Sequence, residues 1–186
     1  RKWSFFDPYD PREQSIWRVV LMINQPPATY MHAFITGATG FLGKHVVKQL
    51  TAQNWNVTAL CRDIEQTQHY PIKGVKWVQG DILDLKCLRH TVPESIDAIF
   101  HLAADTSTWS TQRHQYQVNV VGTQNLVKVA MEKKAIRFIH TSSIAVYGFH
   151  NNIVDEHSEM RGIDSPIPYY RTKYLAEEVI REYMRK

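Results

Sequence analysis

The stretch TGATGFLGKH, residues 36–45, sets three glycines at intervals of three: Gly37, Gly40 and Gly43. In such a run the first glycine permits a tight turn, the second lets backbone approach a pyrophosphate, and the third lets a helix pack closely on a strand. On one side HAFITG (32–37) reads as a buried strand, and on the other Leu42, Val46 and Leu50 recur at helical spacing. A helix that begins directly after a glycine loop offers free N–H groups and a positive dipole end to a phosphate. Gly43-Lys44 also resembles the GK of a Walker loop. That reading fails twice, because Ala38 stands five residues before Gly43 where glycine is required, and His45 follows Lys44 where serine or threonine is required.

Working outward, further apolar strands are expected at NVTALC (56–61), VKWVQG (75–80), IDAIFHLAA (96–104) and IRFIHTSS (136–143). Helical patterns lie between them, a short one around Leu85 and Leu88 and a longer one through Val118, Val121, Leu126 and Val129. Near-continuous apolar strands alternating with amphipathic helices predict an α/β fold, a doubly wound parallel sheet covered on both faces. GDILD (80–84) reads from the residues as a strand end followed by a helix cap.

The residue that reads a nucleotide ribose is expected at the end of the second strand. An acid there accepts the 2′-hydroxyl of NAD, whereas an arginine clamps the 2′-phosphate of NADP. The segment ends Cys61-Arg62-Asp63, which favours Arg62 and NADP while Asp63 keeps NAD open.

Composition restricts the alternatives. With 186 residues and 44% hydrophobic content the chain can bury a sizeable core, and its 22 Lys+Arg against 18 Asp+Glu are scattered rather than massed, which argues against nucleic acid. Cys61 and Cys87 have no C-x-x-C spacing, as suits a reducing cytoplasmic setting, and the nine histidines show no metal-binding spacing. Residues 1–30 differ in character: RKWSFFDPYDPREQ, the apolar run IWRVVLMI broken by Arg18, and the linker-like NQPPATY. They are set apart as an unassigned N-terminal extension, the run being too short to cross a bilayer. Residues 31–186 form the expected nucleotide-binding domain.

Taken in order, TGATGFLG, GDILD, HLAA, NVVGT, TSSIAVYG and YYRTK make the chain resemble the extended short-chain dehydrogenase/reductases, the NAD-dependent epimerase/dehydratase family with its Rossmann fold, over residues 31–184. The arginine 25 positions after the first glycine (62 minus 37) and HLAADTSTW look most like dihydroflavonol-reductase-like and 3β-hydroxysteroid-dehydrogenase-like members. NAD-using members carry an acid at the position of Cys61, which strengthens the NADP reading. The resemblance implies that Thr39, Phe41 and Leu42 join the three glycines in holding the cofactor, that Asp81 and Ile82 flank the adenine, and that His101, Leu102, Ala103 and Ala104 line the cofactor beyond the fourth strand. It also implies a supporting role for Asn119 and a cofactor contact for Lys173 as well as Tyr169.

YYRTKYLAEE (169–178) opens the last helix, where Tyr169, Lys173, Ala176 and Ile180 fall on one stripe while Arg171, Glu178, Glu182 and Arg185 fall opposite. A lysine on the apolar stripe, one turn from a tyrosine, can stabilise a phenolate. Ser143 is expected to end the fifth strand, its hydroxyl facing the crevice at the carboxyl edge of the sheet. Tyr170 has Tyr174 as its plus-four neighbour and is set aside. The expected chemistry is hydride transfer at a carbonyl or carbinol carbon, with Tyr169 moving the proton and Ser143 and Lys173 assisting. The alternatives are a sugar-nucleotide epimerase or dehydratase using NAD and a non-catalytic NAD(P)-binding sensor. The expected partners are a small-molecule substrate and, as a candidate, a second copy of the chain. Extended members continue past the catalytic helix into a substrate lobe, whereas this sequence stops at Lys186 and has no initiator at position 1. A fragment truncated before that lobe, inactive alone, is therefore expected, and DTSTW (105–109) and residues 148–168 are its substrate-side segments.

Overall fold

The computed structural model describes residues 31–65, 67, 72–150 and 153–185, so the expectations for residues 1–30 lie outside the described residues. Five parallel strands form one sheet: β1 (His32–Thr36), β2 (Asn56–Cys61), β3 (Val75–Gln79), β4 (Ala98–His101) and β5 (Arg137–His140), in the order β3-β2-β1-β4-β5. The chain winds outward from β1 through β2 to β3, then returns to the other side of β1 for β4 and β5. The order reverses between β1 and β4, and a crevice opens at the carboxyl end of a parallel sheet at such a switch point. The register aligns that edge, since Thr36 pairs with both Leu60 and His101, Cys61 with Gln79, and His101 with His140.

The first helix, α1 (Phe41–Ala52), buries Gly43, Val46, Val47 and Leu50. Leu42, expected on the buried stripe, is 43% exposed, because the inner position falls to Gly43, whose missing side chain lets the helix lie against the turn. The short α2 (Leu85–Thr91) is capped by Asp84, whose carboxylate accepts from the Cys87 N–H at 2.9 Å, and Leu88 faces the core. Phe34, Ile99, Leu126 and Val129 complete that side of the core.

A second helical run contains α3 (Gln112–Tyr116), one π turn (Gln117–Val121) and α4 (Gly122–Glu132) without a break. The last helix, α5 (Pro168–Met184), starts with proline at its first position, where the missing N–H costs no bond, and packs against α4 and the π turn. Its inner face is the expected stripe, with Lys173 and Ala176 buried. Two strands are shorter than expected by more than one residue. After His101 the backbone leaves the sheet, and residues 102–104 become loop. After His140 the chain turns into a 3-10 segment, Ile144–Tyr147, so Ser143 caps that turn instead of ending β5.

Candidate functional site

Gly37 has φ +71°, and a Cβ there would stand 2.6 Å from the Ala103 nitrogen, while a Cβ at Gly43 would stand 2.1 Å from the Gly37 carbonyl oxygen. Both glycines are therefore required for β1, α1 and the loop after β4 to meet. Gly40 is different, because it is exposed and its hypothetical Cβ meets only the Gly37 oxygen at 3.2 Å. Gly40 caps α1 with no side-chain hydrogen bond, leaving the N–H groups of the first turn without an intrahelical acceptor.

Against this loop lies a cavity of about 350 Å³ at the carboxyl edge of the sheet. Thr36, Gly37, Thr39 and Gly40 form its middle; Cys61, Arg62, Asp81 and Ile82 come from the ends of β2 and β3; Leu102, Ala103 and Ala104 follow β4. Of the sequence-derived cofactor positions, nine are brought together here. Phe41, Leu42 and Gly43 do not line it: Phe41 is 86% exposed, with its ring edge-on to His45, and Gly43 is spent on packing. Tyr169, Lys173, Ser143 and Asn119 also lie outside its wall. Asp105, expected in a substrate-side segment, also lines the cavity, and so does His114, which sequence reading missed because a single histidine on a polar helix carries no signal. Asp105 Oδ2 is buried without a hydrogen bond and lies 3.6 Å from His114 Nε2.

The two residues after Cys61 diverge. Arg62 lines the cavity, whereas Asp63 does not, and the Asp63 carboxylate accepts from the Glu65 N–H at 3.0 Å.

A buried polar relay runs beneath the cavity. The Thr123 hydroxyl donates to the Asn119 carbonyl at 2.6 Å, so its oxygen accepts from His101 Nε2 at 2.9 Å, and His101 Nδ1 accepts from the Thr36 hydroxyl at 2.7 Å. Burial, with a smaller contribution from Lys173, lowers the His101 pKa to about 3. Asn119 sits in the π turn, a bulge that swings its side chain inward. Its amide does not bond locally: Oδ1 accepts from the Asp105 N–H at 2.7 Å, and Nδ2 donates to the Asp105 carbonyl and to Thr172 Oγ1, each at 3.0 Å. Thr172 in turn donates to the Tyr169 carbonyl at 2.9 Å.

Lys173 Nζ donates to the Thr141 carbonyl at 2.7 Å and faces His140 Nε2 at 3.3 Å. Burial lowers its pKa to about 8, with Glu177 pulling the other way. Glu177 also accepts from the Ser142 hydroxyl, tying the turn after β5 to α5. Ser143 Oγ is half-buried and accepts from the Ala145 N–H at 3.2 Å. Tyr169 is half-buried, while Tyr170 stacks on Phe149 with centroids 5.4 Å apart. Among the described residues no cluster of histidine, cysteine or carboxylate could hold a metal, and no helix is long and apolar enough to cross a membrane.

Residues 33–186 match the profile of the NAD dependent epimerase/dehydratase family. The chain belongs to that family. A Synechocystis sp. protein provisionally named a dihydroflavonol 4-reductase is 32% identical over 151 residues, 78% of this chain and 43% of its own. The human sterol-4-alpha-carboxylate 3-dehydrogenase, decarboxylating, is 29% identical over 147 residues, 78% of this chain and 38% of its own. A crystal structure of a short-chain dehydrogenase/reductase superfamily protein from Agrobacterium tumefaciens with bound NAD superposes with a TM-score of 0.72 at 28% identity, covering 83% of this chain and 45% of that one. The chain thus spans a little under half the length of the curated relatives it matches. The five-stranded parallel sheet of this chain is the doubly wound sheet expected from the sequence.

Proposed function

We propose that residues 31–186 are the nucleotide-binding domain of an NADP-dependent oxidoreductase of the extended short-chain dehydrogenase/reductase type. The observation that carries this reading is the cavity itself: a glycine loop, an uncapped helix start and Arg62 on one continuous wall. The residues fit a dinucleotide, because Gly40 leaves open the space that a side chain would narrow, and because the first turn of α1 presents unpaired N–H groups to a pyrophosphate. In this reading Asp81 and Ile82 flank the adenine, Arg62 clamps a ribose phosphate, and Leu102, Ala103 and Ala104 bound the remainder. The bound nucleotide supplies or accepts the hydride.

The chain's own residues do the rest. Tyr169 gives or takes the proton at its phenol oxygen, Lys173 supplies positive charge near it, Ser143 offers its hydroxyl to the substrate oxygen, and Asn119 holds the Asp105 loop against α5. A hydrophobic ketone or alcohol is the proposed substrate class, in keeping with the names of the relatives. The two free thiols, Cys61 and Cys87, support a cytoplasmic setting. A homodimer remains the candidate assembly.

One observation favours a second reading, a sugar-nucleotide epimerase or dehydratase using NAD: the Agrobacterium relative is described with NAD bound. Fluorescence titration of this chain with NADPH and with NADH separates the two readings. Tighter NADPH supports the reductase, tighter NADH the epimerase, and binding of neither would discard both.

A further inference from the structure

Two acceptors face Lys173 Nζ, the Thr141 carbonyl at 2.7 Å and His140 Nε2 at 3.3 Å. An imidazole nitrogen accepts only with a free lone pair, so this contact puts the single proton of neutral His140 on Nδ1. Charging the ring is opposed by burial first, then by His101 and by Lys173. His140 Nδ1 is buried and finds no hydrogen-bond partner. The tautomer that satisfies Lys173 therefore leaves a donor unmade, and it prevails because the other tautomer would leave Nδ1 just as unpaired while aiming an N–H at the ammonium.

The neighbouring ring has the opposite arrangement. His101, its centroid 5.2 Å from that of His140, donates through Nε2 to Thr123 and accepts at Nδ1 from Thr36. The titratable and charged groups around Lys173 are then His101 from β4, His140 from β5 and, on its own helix, Glu177 and the Tyr169 phenol one turn before it. His140 is the one among them that touches Nζ.

We propose that His140 is a positioning residue for Lys173: held as the Nδ1–H tautomer, it is the second acceptor that aims the ammonium. This rests on the reading of Lys173 as a working residue of the site. No motif in the sequence marks His140, whose side chain occupies an ordinary strand position.

Long-range 1H–15N correlation on the histidine-labelled chain reads the tautomer directly in the unsubstituted protein, with His140→Gln supplying the assignment. His140 should be neutral with its proton on Nδ1, and His101 neutral with its proton on Nε2; a proton on His140 Nε2 would overturn the proposal. The second measurement is the titration of the Lys173 ε-carbon. His140→Leu removes the acceptor and should lower the midpoint by about one pH unit, the size expected for one bond to a charged group. His140→Gln, whose amide oxygen still accepts, should restore most of it. An unchanged midpoint in a folded His140→Leu variant rejects the proposal, and the tautomer measurement still decides if the variants do not fold. Failure of the underlying functional reading shows up separately, as a Lys173→Met variant with unchanged NADPH affinity and turnover.

Discussion

Asn119 Nδ2 lies 3.0 Å from Thr172 Oγ1 and joins the π turn to the helix that carries Tyr169 and Lys173. The same side chain grips the Asp105 backbone through both its amide atoms. Asn119→Ala strips partners from a half-buried N–H and carbonyl and from a buried hydroxyl at once, so a loss of about 2 kcal/mol or more is expected. Urea unfolding of the two proteins measures it, and a difference under about 0.5 kcal/mol, the range of ordinary surface changes, would contradict the tie.

Tyr169 and Tyr170 are adjacent and chemically identical, yet their surroundings differ. Tyr170 is stacked on Phe149, and Tyr169 sits one turn from buried Lys173. With the proton-donor role proposed for Tyr169, Tyr169→Phe should lower turnover about 100-fold or more with little change in nucleotide affinity. Tyr170→Phe should change turnover far less. The reverse ranking would mean that the proton comes from the other ring.

Arg62 faces the cavity while the Asp63 carboxylate is engaged with the Glu65 N–H. NADPH should therefore bind about tenfold or more tightly than NADH, the equivalent of one charge-assisted bond of about 1.5 kcal/mol. Arg62→Ala should abolish the preference. Parallel titrations decide this, and a preference that survives the substitution assigns phosphate recognition to another group.

The three glycines should not be equivalent under substitution. Gly43→Ala drives a methyl group to 2.1 Å from the Gly37 carbonyl oxygen, a backbone collision that a side-chain shift cannot relieve. Loss of about 3 kcal/mol or more, or failure to fold, is expected. Gly40→Ala meets nothing closer than 3.2 Å and should keep the fold while weakening NADPH binding. Thermal melts and titrations on the two variants would show a common phenotype if the roles were shared.

The buried bases set the pH dependence of stability. The folded pKa of His101, lowered to about 3, lies below its value of 6.5 in the unfolded chain. Between those values the unfolded state binds more protons, so stability rises with pH there and is lost as pH falls from 6.5, by an upper bound of about 5 kcal/mol at the acid end. His140 acts in the same direction. Lys173, lowered from 10.5 to about 8, contributes in the same sense above pH 8, where Cys61 and Tyr147, both raised by burial, act in the opposite sense. Denaturant midpoints at pH 4, 5.5, 7 and 9 test the sign, and a midpoint unchanged from pH 7 down to pH 4 would show that His101 charges freely in the fold.

By itself the sequence determined the sheet, the glycine turn and the inward stripe of α5, because each follows from local rules: apolar runs for parallel strands, spacing of three for the glycines, helical period for Lys173 and Ala176. The same rules placed Leu42 on the inner face of α1. Contact distance in the fold gave that place to Gly43, where a Cβ would stand 2.1 Å from the Gly37 carbonyl oxygen and 2.7 Å from the Ala38 Cα. Tertiary structure alone decided that Asn119 reaches Asp105 and Thr172 and that His140 meets Lys173. Each of these depends on where a side chain finds a partner many residues away, across a π turn, a chain reversal or two packed layers. A one-dimensional pattern records the period of an element, whereas the direction in which a polar atom spends its hydrogen bond is fixed by neighbours that only packing supplies.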